Sequence, residues 1–205
     1  QHLAILLERG PLLMHDLATR ATKTYETGGL GWRNGAWSAD GRWLALSCAN
    51  FLVRLFDPST GTLQPVSLEH EDTPVALQFS RDGTRLLTGS YDGAARLFDV
   101  ASGRSLFAPM RHLGPIHAVA FSHDESCIST AGWDGLVRLW DARTGENHRD
   151  MLRHPGAVRG VSWQREDSAL LTAGLEGTAR IWRMRTNGSA RFSWPHDSPV
   201  QTVAF

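Results

Sequence analysis

The stretch GWDGLVRLWDARTG, residues 132–145, decides how this sequence folds. Its apolar centre, LVRLW, lies between two turns that contain glycine, WDG and ARTG. This pattern indicates a short β-strand bounded by tight turns. The stretch also raises a question of chemistry. A hydrolase site can be built from Asp, His and Thr, and all three are present here as Asp134, Asp141, His112 and Thr130.

The features of this stretch recur every 42 residues. Asp57, Asp99 and Asp141 follow one another at that interval, and each comes directly after an aromatic residue. A histidine recurs at the same interval, and an aromatic residue stands nine positions after each histidine. The histidines are His70, His112, His154 and His196. A period of this length is typical of a repeat architecture in which each repeat is one small β unit.

Each period carries signals for four short strands. In the copy at residues 112–153, the segments PIHAVAF, CISTAG and LVRLWD are separated by the turns SHDE and WDG. A more polar segment follows and leads to the next histidine. Turns rich in Asp and Gly suit antiparallel hairpins. Four antiparallel strands per period, with regular aromatic and glycine positions, predict propeller blades.

The order of histidine, AVAFS, STAGWDG and VRLWD resembles the WD-repeat family. The resemblance implies an all-β fold, a β-propeller of four-stranded antiparallel WD-repeat blades. Because propellers of this family resemble seven-bladed rings, which need about 290 residues at this period, we expect an incomplete propeller of about five blades. The expected units are a partial blade at 1–26, a degenerate blade at 27–69, full blades at 70–111, 112–153 and 154–195, and the first strand of another blade at 196–205.

The resemblance also gives the Thr–His–Asp set a structural role. In this family a His, a Ser or Thr, an Asp and a Trp form a hydrogen-bonded chain inside each blade. One copy carries all four residue types, a second has Phe98 instead of Trp, and a third has Glu instead of Asp. The three sets are His112, Thr130, Asp134 and Trp140; His70, Thr88 and Asp92; and His154, Thr172, Glu176 and Trp182. An enzyme needs one asymmetric site, so we predict no catalytic residues and no enzymatic activity.

Binding is predicted at positions whose phase in the repeat is constant and whose identity varies. One set precedes the turn acid, and the other follows the first buried residue of the first strand, where Val75 and Gln201 also lie. The resemblance places both sets near the mouth of the central channel on the top face. The predicted partner-binding residues are Tyr91, Trp133, Leu175, His117 and Arg159.

A row of arginines leaves two interpretations open. Arginine recurs every 42 residues on the predicted third strand, at Arg54, Arg96, Arg138 and Arg180. A ring of guanidinium groups could bind an anion or a phosphopeptide. Alternatively, each side chain packs along its strand while the charged end meets water or a carboxylate.

Composition and motifs exclude several classes of function. The formal net charge is zero, so no basic face for nucleic acid or anionic lipid is predicted. Cys48 and Cys127 have neither disulfide nor zinc spacing, and the repeat histidines fall in separate blades, so we predict no metal and no cofactor. The unpaired cysteines favour a reducing compartment, hence the cytoplasm. One lysine among 21 basic residues suggests a GC-rich bacterial source.

The expected function is a protein–protein interaction scaffold that binds other proteins or peptides, with no small-molecule substrate. A second interpretation is a regulatory or sensor module of a larger bacterial signalling protein, either a STAND-type ATPase or a Ser/Thr kinase, because WD-repeat arrays resemble parts of such proteins. An enzymatic propeller is the remaining alternative. It would need an asymmetric acidic or metal cluster at the channel, and the sequence offers none.

Overall fold

A computed structural model of the chain describes residues 2–6, 10–25, 31–184 and 190–205. In these ranges the regular structure consists of nineteen β-strands. The described residues contain no helix that could cross a membrane. The first sheet has three strands, β1 (His2–Leu6), β2 (Leu12–Asp16) and β3 (Thr22–Tyr25).

Four further sheets follow, each formed by four consecutive antiparallel strands. The second sheet contains β4 (Trp32–Trp37), β5 (Leu44–Cys48), β6 (Leu52–Asp57) and β7 (Thr62–Glu69). The third contains β8 (Pro74–Phe79), β9 (Arg85–Ser90), β10 (Ala94–Asp99) and β11 (Met110–Arg111). The fourth contains β12 (Ile116–Phe121), β13 (Cys127–Gly132), β14 (Leu136–Asp141) and β15 (Asn147–Arg153). The fifth contains β16 (Val158–Trp163), β17 (Ala169–Gly174), β18 (Thr178–Arg183) and β19 (Ala190–Pro195).

The hydrophobic cores lie between neighbouring sheets. On β9, Leu86 packs in the core shared with the second sheet, while the adjacent Leu87 packs in the core shared with the fourth. Successive side chains of a strand point to opposite faces, so a sheet between two others must be apolar on both. The first strands β4, β8, β12 and β16 lie side by side and form the inner wall. This arrangement confirms the predicted all-β propeller fold with four-stranded antiparallel blades.

The turns after the second strands depend on a left-handed residue. Gly135 has φ 73°, and a Cβ there would lie 2.8 Å from the carbonyl oxygen of His154, so glycine is required. In the degenerate repeat Phe51 takes this position with φ 68°. It keeps the same backbone bonds, because its N–H donates to Cys48 and its carbonyl accepts from His70. The sheet therefore survives the loss of its glycine, at the cost of a strained backbone.

The expected units can be placed against the sheets. The boundary between residues 26 and 27 lies outside the described residues. Residues 196–205, predicted as the first strand of another blade, are not a strand. They run beside β16, where the Phe205 N–H donates to Ser162 Oγ at 3.1 Å. They make no ladder with any described strand, and β-structure requires one.

The sheets have two distinct ends, because consecutive antiparallel strands return to the same end at every second turn. The upper face carries the turns after the second strands, at residues 91–93, 133–135 and 175–177. The lower face carries the turns at 80–84, 122–126 and 164–168. The histidines that precede the first strands lie on the upper face, where the predicted binding residues are also found.

Candidate functional site

The fourth sheet brings His112, Thr130, Asp134 and Trp140 into one hydrogen-bonded chain. The indole N–H of Trp140 donates to Thr130 Oγ1 at 2.8 Å, which leaves the Thr130 hydroxyl free to donate to His112 Nε2 at 2.7 Å. His112 Nδ1–H then donates to Asp134 Oδ1 at 2.9 Å. Arg138 Nη1 also lies 2.8 Å from His112 Nδ1, so this ring nitrogen meets both the carboxylate and the guanidinium. Each buried polar group of the chain has a partner.

The fifth sheet repeats this chain with a longer acid. Trp182 donates to Thr172 Oγ1 at 2.8 Å, Thr172 lies 2.7 Å from His154 Nε2, and His154 Nδ1 lies 2.7 Å from Glu176 Oε1. The extra methylene of glutamate has a consequence, since Glu176 Oε2 is buried without a hydrogen-bond partner. Aspartate at the equivalent position uses both oxygens.

The third sheet has the His, the Thr and the Asp of this chain but Phe98 in place of the Trp, and its hydrogen bonds join different atoms. Phe98 offers no N–H, and His70 Nδ1 is 3.7 Å from Asp92, which is too long for a hydrogen bond. The Thr88 hydroxyl reaches the carbonyl oxygen of Arg96 at 3.2 Å, and Arg96 Nη1 is 2.8 Å from His70 Nδ1. These contacts are satisfied when the His70 proton is on Nε2 and is donated to Thr88 at 3.0 Å. Phe98 thus removes the indole N–H that the threonine oxygen accepts in the other two sheets.

The buried geometry of these chains does not suit a catalytic site. Thr130 is fully buried and its oxygen is engaged by two partners, so no substrate carbonyl can approach it. Burial lowers the pKa of His112. Burial raises the pKa of Asp134, but hydrogen bonds from His112 and Arg138 outweigh this effect and bring it to about 2. Asp141 has a separate role, because its carboxylate accepts the N–H groups of Arg143 and Thr144 and closes the next turn.

Three of the four arginines in the row are neutralised by an acid of their own sheet. Arg96 and Arg138 donate to Asp92 and Asp134 at 2.6 and 2.7 Å, and Arg180 donates to Glu176. Arg54 has no acid at the equivalent turn and donates instead to the carbonyl oxygen of Gln64 at 3.1 Å. These contacts support the second interpretation of the row, in which each charged end meets a partner of its own sheet.

A β-bulge recurs near the start of every first strand. The pairing register between the first and second strands shifts once in each of the four-stranded sheets, and the extra residue is Arg33, Val75, His117 or Arg159. A bulge leaves one residue out of the ladder and redirects its side chain. The variable positions on the first strands are therefore the bulged ones.

The upper face brings three predicted binding residues together as an aromatic patch of Tyr91, His117 and Trp133. The His117 ring lies 5.5 Å from that of Tyr91 and 5.9 Å from that of Trp133, both with steeply inclined planes. Tyr91 is 40% exposed and Trp133 is 57% exposed. Burial, and then the charge of Arg159, lower the pKa of His117 to about 4, so its ring is neutral near pH 7.

The remaining predicted residues lie beside the patch. Leu175 occupies the equivalent turn one sheet further on and is half-buried, and its N–H donates to Ala157. The side chain of Arg159 has no hydrogen bond or ion pair with any residue that the structure describes, and its Nε is buried. His117 Nε2 is also buried without a partner.

One residue of this surface is missing from the predicted set. Leu113, in the loop that enters the fourth sheet, is 91% exposed. Its N–H donates to Asp134 Oδ2 at 3.2 Å, which fixes the loop beside the turn that carries Trp133. A signal exists in the sequence, because the equivalent positions hold Glu71, Pro155 and Asp197. This is the same combination of constant phase and variable identity.

The described part of the chain contains no group of three or more His, Cys, Asp or Glu side chains arranged to hold a metal ion. Cys48 and Cys127 are free thiols. Burial raises the pKa of Cys48 to about 12 and that of Cys127 to about 11, so neither is a reactive thiolate.

Sheets packed face to face around an inner wall, three of them with a buried His–Thr contact, define a repeat-built β-propeller. The family described as WD domain, G-beta repeat (WD40) matches residues 62–99, 104–141 and 146–183. These segments cover more than half of the chain, which belongs to the WD40 repeat family. Each matched segment contains the fourth strand of one sheet and the first three of the next. No curated protein matched the chain.

Proposed function

We propose that the chain is a protein-interaction platform that binds a peptide or a partner domain on its upper face. WD40 repeats generally mediate protein–protein interaction, and their propellers are typically scaffolds without enzymatic activity. The observation that carries the proposal is the aromatic patch. Tyr91 and Trp133 stay exposed at positions that Leu175 fills with a half-buried side chain. Large aromatic residues of this kind are frequent anchors of protein interfaces.

The physical argument rests on rigidity as well as exposure. The turn that carries Trp133 is fixed by the backbone bond from its own N–H to Pro115 at 2.8 Å and by the Asp134 contacts. His117 is wedged between the two neighbouring rings. A preformed surface loses little conformational entropy when a partner binds, so more of the contact energy remains as affinity.

The test is a binding measurement with and without the patch. Peptides would be selected from a random display library against the full chain, and their dissociation constants measured by fluorescence anisotropy. Trp133→Ala is expected to weaken binding about 30-fold, the effect of losing a strong anchor. Leu106→Ala, which truncates another exposed apolar residue, is the matched control and should bind as the parent does. Unchanged affinity in Trp133→Ala, with its circular dichroism preserved, would contradict the proposal.

The cellular context is a second, separate proposal. We propose a regulatory or sensor module of a larger bacterial signalling protein, working in the cytoplasm. Arginine predominates over lysine in the chain, and both thiols are unpaired. A Walker-type loop or protein-kinase motifs in the same open reading frame would support this context, and a secretory leader there would contradict it.

A further inference from the structure

We infer that the upper-face site recognises an acidic–apolar peptide segment, in which an Asp or Glu carboxylate binds Arg159 while a neighbouring apolar side chain packs on Trp133 and Leu113. The inference rests on the proposed function and adds the chemistry of the partner. Its basis is the charge of the site after every internal ion pair has been counted.

Four acids near the upper face are already used by other arginines, while Asp72 and Asp197, in the upper-face loops before β8 and after β19, form no ion pair with Arg159. Asp92, Asp134 and Glu176 each bind the arginine of their own sheet. Glu71 lies 3.9 Å from both Arg96 and Arg111. The guanidinium of Arg159 has no such partner among the described residues, and its Nε is shielded from water. A cation held partly out of water without a counter-charge favours binding of an anion.

The bulge on β16 places this cation next to the aromatic patch. β12 and β16 lie side by side. His117 is the bulged residue of β12, and Arg159 is the bulged residue at the equivalent position of β16. The charge of Arg159 is felt at the His117 ring, whose pKa it helps to lower. The neutral His117 ring adds no second charge. The site therefore offers one positive group beside a neutral apolar surface.

This balance favours a carboxylate over a phosphate. A phosphoryl group carries nearly two negative charges and is usually bound by a cluster of arginines. A carboxylate carries one charge and matches the two parallel donors of a single guanidinium. Trp133 and Leu113 expose apolar surface at the same mouth, so the residue beside the acid should be large and apolar.

The experiment is a double-mutant cycle on the peptides selected from the random library. Selected peptides should be enriched in Asp or Glu next to a large apolar residue. Replacing the peptide Glu by Gln, or Arg159→Gln in the protein, should each raise the dissociation constant about tenfold, and the two changes together should cost little more than either alone. Arg159→Lys keeps the charge but loses the two parallel donors, so its dissociation constant should lie between those of the parent and Arg159→Gln. Arg143→Gln, an exposed arginine at a lower-face turn, removes the same charge and should change nothing.

The outcomes separate this inference from the proposed function. If Trp133→Ala abolishes binding but the acid and Arg159 show no coupling, the platform stands and the acidic partner is wrong. If neither Trp133→Ala nor Arg159→Gln alters the binding of any peptide, or no peptide binds, both are wrong. If a phosphoserine peptide binds more than tenfold tighter than its glutamate counterpart, the inferred carboxylate ligand is wrong and the site binds a phosphate.

Discussion

At the scale of the residue, a single hydrogen-bond donor decides how a buried polar chain is ordered. Trp140 supplies an N–H to Thr130, and Phe98 supplies none to Thr88. In the first case the threonine oxygen contacts the indole N–H and His112 Nε2, and in the second it contacts His70 Nε2 and a carbonyl oxygen. The two sheets share a fold and most side chains, yet the number of buried groups that depend on the threonine differs.

This difference predicts unequal costs for the same substitution. Thr130→Val keeps the shape but leaves the Trp140 N–H and His112 Nε2 unpaired, so we expect the free energy of unfolding to fall by about 2–3 kcal/mol. Thr88→Val leaves no indole N–H unpaired and should cost about 1 kcal/mol less. Urea denaturation followed by circular dichroism measures both. An equal or larger loss in Thr88→Val would show that Trp140 does not depend on its hydroxyl partner.

At the scale of the element, two lower-face turns join neighbouring sheets through a carboxylate. The turn position that holds Gly41 and Gly83 in the earlier sheets holds Glu125 and Asp167 in the later ones, with φ 57° and 52°. The backbone N–H of Arg81 donates to Glu125. The N–H groups of His123 and Asp124 donate to the two oxygens of Asp167, the second at 2.9 Å. A left-handed conformation costs an L-residue about 1–2 kcal/mol, which these bonds between sheets offset.

The prediction at this scale concerns local opening. Asp167→Gly relieves the backbone but removes the acceptor of two N–H groups, so hydrogen exchange at the amides of His123 and Asp124 should become about tenfold faster. The amide of Arg81, which Glu125 holds, is the internal control and should keep its rate. Unchanged protection at His123 and Asp124 would mean that the turn is ordered without the contact from the next sheet.

These elements also show what the sequence could predict. A period of 42 residues with hairpin turns predicts the strands, because each hairpin is fixed by its own residues. The phase singled out His117 and Trp133, and the resemblance to the WD-repeat family implied their place on the top face. The sequence did not predict the bulge at Arg159, the exposure of Leu113, or the contact of Asp167 with the preceding turn. The bulge is a register shift between two strands of one sheet, which the alternation of apolar residues does not mark. The Asp167 contact depends on how two sheets pack, which is not encoded within a single repeat.

At the scale of the whole molecule, the outer surface of the fifth sheet differs from those before it. The fourth strands carry an apolar residue every 42 positions, and Leu68, Met110 and Leu152 are buried against the following sheet. The equivalent Trp194 is 45% exposed and stacks with Phe192 at 5.8 Å between ring centroids. In a repeat array each interior unit is stabilised by its neighbours, so an uncovered face of this kind favours association.

We therefore predict that the 205-residue chain self-associates through this face. Its apparent mass in sedimentation velocity should rise with concentration, and Trp194→Arg should shift it towards the monomer. Leu106→Arg adds the same charge at an exposed apolar position on the third sheet and should leave the association unchanged. A parent chain that stays monomeric at every concentration, or a Trp194→Arg variant that associates equally, would contradict the prediction.

The matched repeats and the sheets are out of step by one strand, and this offset bears on how such a chain grows in evolution. Each repeat ends after a third strand, and the next begins with the fourth. A duplicated segment of one period therefore adds one complete sheet wherever its ends fall, because each copy supplies the strands that its neighbour lacks. Recombination in such a gene needs the right length rather than the right boundary.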